Sequence, residues 1–98
     1  MIVCLMEQKH PLYKVKILKK VEKSLKKMPL EQQKKLYLLI EDIKNNGAIQ
    51  KGWNNFSSLG DDKYHCHLSL HWIACWTWKK GTFLVEVYYA GSREKAPY

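Results

Sequence analysis

The hydrophobic period of this chain changes twice along its length, and those two changes restrict the folds open to it more than any other feature. Tyr13-Lys14-Val15-Lys16-Ile17 alternates large apolar residues with lysine, the period-2 pattern of a half-buried strand. From Leu18 the apolar positions move to helical spacing, at Leu18, Val21, Leu25 and Met28, with lysines between them. Pro29 breaks or restarts that helix. Leu36, Leu39, Ile40 and Ile43 then mark one face of a second helix, and Asn45-Asn46-Gly47 is its stop signal. Residues 48–62 read as a loop anchored by Trp53, Phe56 and Leu59. After it the period returns to two, over residues 63–69, 72–78 and 82–90, with Lys79-Lys80-Gly81 as a turn. The order is β-α-α-β-β-β. It predicts an α+β domain with two antiparallel helices packed on one face of a mainly antiparallel four-stranded sheet.

At 98 residues the chain is read as one domain with one modest core, residues 1–98, of which 1–11 form an N-terminal arm. No apolar run approaches the roughly 20 residues of a membrane span. Met1 to Met6 is apolar but too short for a signal-peptide core, and Met6 is an alternative start. Cys4, Cys66 and Cys75 make an odd count without a secretion signal. That predicts a reducing cytoplasm, with Cys66 and Cys75 as small core residues.

Charge is unevenly spread. The net value is +8, from 17 basic and 9 acidic residues. Ten lysines fall between Lys9 and Lys35, against Glu22 and Glu31 alone. A basic lobe of this kind suits a polyanion, nucleic acid or an acidic protein, and equally suits a solvated face that keeps the chain soluble. Lys19, Lys20, Lys23, Lys26 and Lys27 on the first helix are its centre and are candidate RNA contacts.

The sheet face turned away from the helices is where chemistry is expected. A three-residue turn at 79–81 sets Trp78 opposite Thr82 and Trp76 opposite Leu84, and a tight turn near Leu70-His71 pairs Cys66 with Cys75 and His65 with Trp76. In that register Tyr64, Cys66, Leu68, Ile73, Cys75, Phe83, Val85 and Val87 form the core face. Lys63, His65, His67, Trp72, Trp76, Glu86 and Tyr88 form the free face. Indoles and cationic donors on one sheet surface are what single-stranded RNA recognition uses. The pair His65 and His67 admits three readings: a catalytic or phosphate-binding pair, part of a zinc site, or surface histidines without a role. Trp72 and Trp76 are either base-stacking platforms or core residues. Glu86 is a general base or an ion-pair partner for His65 or Lys63.

The chain resembles the RelE/ParE toxin superfamily from Tyr13 to Tyr98. The likeness rests on the element order, on the ending Val87-Tyr88-Tyr89-Ala90-Gly91-Ser92-Arg93 with Tyr98, and on Leu59-Gly60 followed by Tyr64-His65-Cys66-His67-Leu68. Within the superfamily it is similar to a histidine-bearing, HigB-like branch. The resemblance implies a RelE-like microbial RNase fold. It also implies a ribosome-dependent endoribonuclease that cuts messenger RNA without metal or cofactor and so inhibits translation. A cognate antitoxin, helix-turn-helix or acidic, is expected as partner, with ribosome and mRNA and no membrane. Carried over by position, His65 and His67 stand where such toxins have basic strand residues. Arg93 stands at the C-terminal arginine and Tyr98 at the C-terminal aromatic. The family's sheet arginine has no clean match, and His71 is the nearest residue to it. Two other functions remain open on these residues: a ParE-type gyrase inhibitor, and a non-enzymatic RNA- or protein-binding module descended from a toxin.

Overall fold

A computed structural model describes residues 12–98; the N-terminal arm and Cys4 lie outside the described residues. The elements are β1 (Lys14–Ile17), α1 (Lys19–Leu25), α2 (Leu30–Asn46), β2 (Ser57–Gly60), β3 (Lys63–His67), β4 (Trp72–Trp78), β5 (Leu84–Ser92) and a short 3-10 turn (Arg93–Lys95). Each period in the sequence becomes the element it predicts. Lys14 and Lys16 of β1 face solvent while Val15 and Ile17 pack inward. At seven residues α1 is too short to hold itself, so its stability comes from burying Val21 and Leu25. Pro29 has no N–H to leave unbonded and caps the start of α2. That helix buries Leu36, Leu39, Ile40 and Ile43, one stripe of a 3.6-residue repeat.

Gly47 ends α2 for two separate reasons. Its φ of +97° is strained for a residue with a side chain, and a Cβ there would stand 3.0 Å from the Tyr13 ring. The same corner is tied by the Tyr13 N–H, which donates to the Lys44 carbonyl at 3.0 Å.

The sheet has five strands rather than four, in the order β1-β5-β4-β3-β2. Strand β1 runs parallel to β5 and the other pairs are antiparallel. The added strand, β2, lies inside the segment read as a loop. Ser57-Ser58-Leu59-Gly60 has no β-branched or aromatic residue to announce it, and it pairs with β3 through a register shift between Ser58 and Gly60.

The register of β4 also differs from the expected one, by one residue against β3 and by three against β5 at Trp76 and Trp78. His65 pairs with Cys75 and Cys66 with Ala74, because the connection from β3 to β4 spans Leu68 to His71. On the other side Trp76 pairs with Val87 and Trp78 with Val85. A slip by an odd number of residues exchanges the faces of a strand. Trp76 therefore points into the helix-side core, wholly buried, with its indole N–H donating to the Ala48 carbonyl at 3.0 Å. Phe56 stacks on it at 6.0 Å. Trp72 is half-buried and packs against the same core. Ile73 and Cys75 are buried too, but they fall outside the helix-side cluster and occupy the opposite face. Phe83, expected in the core, precedes β5 and is exposed.

Candidate active site

Strand β3 divides its side chains cleanly. Tyr64 and Cys66 enter the helix-side core, while His65 and His67 emerge on the other face with ring centroids 5.7 Å apart. His65 is only 8% exposed, because the chain's C-terminal segment crosses this face. The ring of Tyr98 lies 4.8 Å from that of His65, tilted by 56°. Beside them lies the buried Cys75, the β4 partner of His65. Burial pushes the Cys75 thiol up to about 12, and it does the same to the Tyr88 hydroxyl, so both stay protonated at neutral pH. Lys63 places its Nζ 6.0 Å from the centre of the Tyr88 ring.

Arg93 reaches this face from the 3-10 turn. A β-bulge in β5, where the register shifts between Cys75 and Trp76, precedes it. Gly91 then lets Tyr89 fold close: a Cβ on Gly91 would stand 3.0 Å from the Tyr89 hydroxyl, which donates to the Ser92 carbonyl at 2.7 Å. The Arg93 N–H donates to the His71 carbonyl at 2.7 Å, which fixes the start of the turn against the β3–β4 connection. The charge of its guanidinium acts on both His67 and Tyr98.

These surroundings set the protonation of the two imidazoles. Burial holds the His65 pKa below the usual 6.5; a hydrogen bond to the Ser57 backbone works in the opposite direction, and His67 lowers it again. Burial, and then Arg93, hold His67 low as well. Both rings are neutral near pH 7. Neutral imidazoles accept protons or donate a single N–H, while Arg93 supplies the positive charge. The Tyr98 hydroxyl has a raised pKa, first through burial and then through Cys75.

Two residues of this site were missed by the sequence reading. Ser57 Oγ lies 3.1 Å from His65 Nδ1, and Asn55 Nδ2 lies 3.3 Å from His67 Nδ1. Both come from the segment read as a loop, and polar residues in a loop carry no periodic signal.

The remaining candidates divide between this face and elsewhere. His71 is exposed and lines an open depression with Trp72, Ser92, Arg93 and Glu94, beside the histidine pair rather than within it. Trp76, expected as a stacking platform, is corrected to a core residue, and Trp72 to the helix side of the sheet. Glu86 sits across from Thr77, which sits across from Lys63. It faces a depression it shares with Asp61, Asp62 and Trp78, and forms no ion pair with His65 or Lys63. Lys19, Lys20, Lys23, Lys26 and Lys27 are all exposed. Among the described residues Lys44 and Glu41 form the one ion pair, at 3.4 Å, so no carboxylate neutralises the α1 lysines. Among the same residues, no group of three His, Cys, Asp or Glu side chains is arranged to hold a metal ion. No described helix is long and apolar enough to cross a membrane.

Two helices on one face of this mixed sheet, with β1 returned beside β5, define the RelE-like toxin fold. The solved structures it matches are toxins of type II toxin–antitoxin systems. The chain is similar to one in the archaeal RelE–RelB complex from Pyrococcus horikoshii OT3, with TM-score 0.69, 16% identity, and coverage of 87% of this chain and 99% of that one. It is similar to the YoeB dimer from Staphylococcus aureus, with TM-score 0.67, 14% identity, and coverage of 82% and 95%. The E. coli DinJ–YafQ toxin–antitoxin complex gives TM-score 0.65 and 16% identity, covering 85% and 94%. No family model and no curated protein matches the sequence.

Proposed function

We propose that this chain is the toxin of a type II toxin–antitoxin system, a ribosome-dependent endoribonuclease that cuts messenger RNA and arrests translation. The observation that carries the reading is the convergence of His65, His67, Tyr98 and Arg93 on one sheet face. The toxin fold shared with RelE, YoeB and YafQ supports it. In the reaction a neutral imidazole, His65 or His67, takes the proton of the 2′-hydroxyl as its oxygen bonds to phosphorus. Arg93 stabilises the charge that accumulates on the phosphate. The P–O5′ bond breaks and the leaving oxygen takes a proton, supplied in this reading by the Tyr98 hydroxyl. The products are a 2′,3′-cyclic phosphate and a 5′-hydroxyl.

The uncompensated lysines of α1, with Lys63, form the surface that holds ribosomal and messenger RNA, and His71 lies along the path beside Arg93. The RelB and DinJ proteins in the matched complexes support an antitoxin partner, acidic where it meets these lysines. In this reading the chain and its antitoxin act in the cytoplasm. The test is induced expression in bacteria followed by mapping of mRNA ends on ribosomes. Growth arrest with new 5′-hydroxyl ends, abolished by Arg93→Ala, is expected. Unchanged translation with wild-type chain, or inhibition of gyrase supercoiling by purified protein, overturns the reading.

A further inference from the structure

We propose that Asn55 and Ser57 are positioning residues that hold the two histidines in opposite tautomers, making His65 the proton acceptor and His67 a neutral N–H donor to the phosphate. The chemistry rests on the RNA-cleaving reading above; the tautomers themselves do not. Asn55 approaches His67 through its amide nitrogen, 3.3 Å from Nδ1. An amide nitrogen only donates, so Nδ1 must accept, and the single proton of the neutral ring sits on Nε2. His65 instead meets a hydroxyl, Ser57 Oγ at 3.1 Å from Nδ1, which can accept as readily as it donates. When Ser57 accepts the Nδ1 proton, His65 Nε2 carries the free lone pair that a general base needs.

The position of the Asn55 amide beside His67 is built into the loop. Trp53 anchors one side through its indole N–H, which donates to Asp42 Oδ2 on α2 at 2.9 Å. Phe56 anchors the other by stacking on Tyr64 at 5.9 Å, nearly parallel. Between them the Asn54 carbonyl accepts from the His67 N–H at 2.8 Å, and Asn55 takes a φ of +53°. Asparagine is among the few residues with a side chain that tolerate this region. Two fixed anchors and one backbone bond therefore aim the amide at the ring.

The reaction then balances with each group in one role. His65 Nε2 removes the 2′-hydroxyl proton as the O2′–P bond forms. His67 Nε2–H bonds to a non-bridging phosphate oxygen and keeps its proton. The P–O5′ bond breaks, the 5′-oxygen takes its proton from Tyr98, and the His65 imidazolium restores that proton through water.

Two-bond 1H–15N correlation spectra of the uniformly labelled full chain, recorded above the titration of both histidines, test this without RNA. Wild type is expected to show His67 protonated on Nε2 and His65 protonated on Nδ1. Asn55→Asp, which keeps a residue suited to positive φ but offers only acceptors, moves the His67 proton to Nδ1. Ser57→Ala moves the His65 proton to Nε2. A wild-type His67 protonated on Nδ1, or variant patterns indistinguishable from wild type, overturns the inference. If the wild-type chain cuts no RNA, the functional reading falls and the tautomer assignment stands on the spectra alone. If it does cut, Asn55→Asp lowers kcat about 10²-fold with KM unchanged, the scale of losing one preorganised hydrogen-bond donor to developing charge.

Discussion

The lysine surface of α1 and the imidazole face of β3 are both rich in ionisable side chains, but the first is a field of charges while the histidines of the second are neutral. The α1 lysines stand in solvent on a helix that exists because two of its residues are buried, and among the described residues none of them is held in an ion pair. Their field acts over a Debye length, about 8 Å in physiological salt, on any phosphate that passes. His65 is shielded beneath Tyr98, His67 is half-buried beside it, and both are bonded, to Ser57 and Asn55, and neutral. What they can do depends on tenths of an ångström and on which nitrogen holds a proton. In the proposed function the contrast separates attraction from chemistry: one surface would recruit a polyanion without discrimination, and the other would act on the phosphodiester that reaches it.

If that separation is real, substitutions on the two surfaces have different signatures. The largest effect is expected from Arg93→Ala and His65→Ala, which lower single-turnover cleavage by about 10²–10⁴-fold while RNA affinity stays within a few-fold. Equal losses of affinity and rate would break the comparison. Next in size, Trp76→Ala empties the centre of the core and costs about 3–5 kcal/mol in urea unfolding, removing both surfaces together; a cost near zero would contradict its burial. Replacing Lys19, Lys20, Lys23, Lys26 and Lys27 with glutamine flattens the logarithmic salt dependence of RNA binding by about 3 to 4, if each lysine contacts one phosphate of a single strand. The cleavage rate at saturating RNA is expected to stay as in wild type.

The smallest effect is a pH dependence of stability. The folded-state pKa of His65 lies below its unfolded value, so the unfolded chain takes up the proton first as pH falls. Stability is unaffected by this group above pH 6.5. It declines below that point until the folded-state pKa is passed. Chemical denaturation from pH 7.5 to pH 5 measures the slope, and His65→Gln should flatten it. No change in slope would mean the ring is not shielded.

The sequence made the architecture readable because period is a direct imprint of burial. Leu36, Leu39, Ile40 and Ile43 could only be one face of a helix, and Gly47 could only be its end. Register was less accessible. Placing Trp72 and Trp76 required knowing the length of the Leu68–His71 connection and the bulge opposite Cys75, and both are set by tertiary contacts rather than by local composition. His65 and His67 were assigned to the correct face because β3 alternates without interruption from Tyr64 to His67. The partners of those histidines were not readable. Asn55 and Ser57 act through a left-handed turn and a short edge strand, and neither leaves a hydrophobic pattern behind.

The parallel pairing of β1 with β5 has a consequence for how this protein comes into being. Lys14 has its partner in Leu84, so the first strand waits for the last one. The helices and the β3–β4 hairpin close over short distances and form early, whereas β1 joins only when β5 is available, a long loop closure that slows folding. Arg93 and Tyr98 follow β5 in the chain. On a ribosome still translating this chain, neither the sheet nor the reaction site is complete until synthesis has passed both. A partner binding during synthesis would meet the lysine helix before Arg93 and Tyr98 had joined the histidine face.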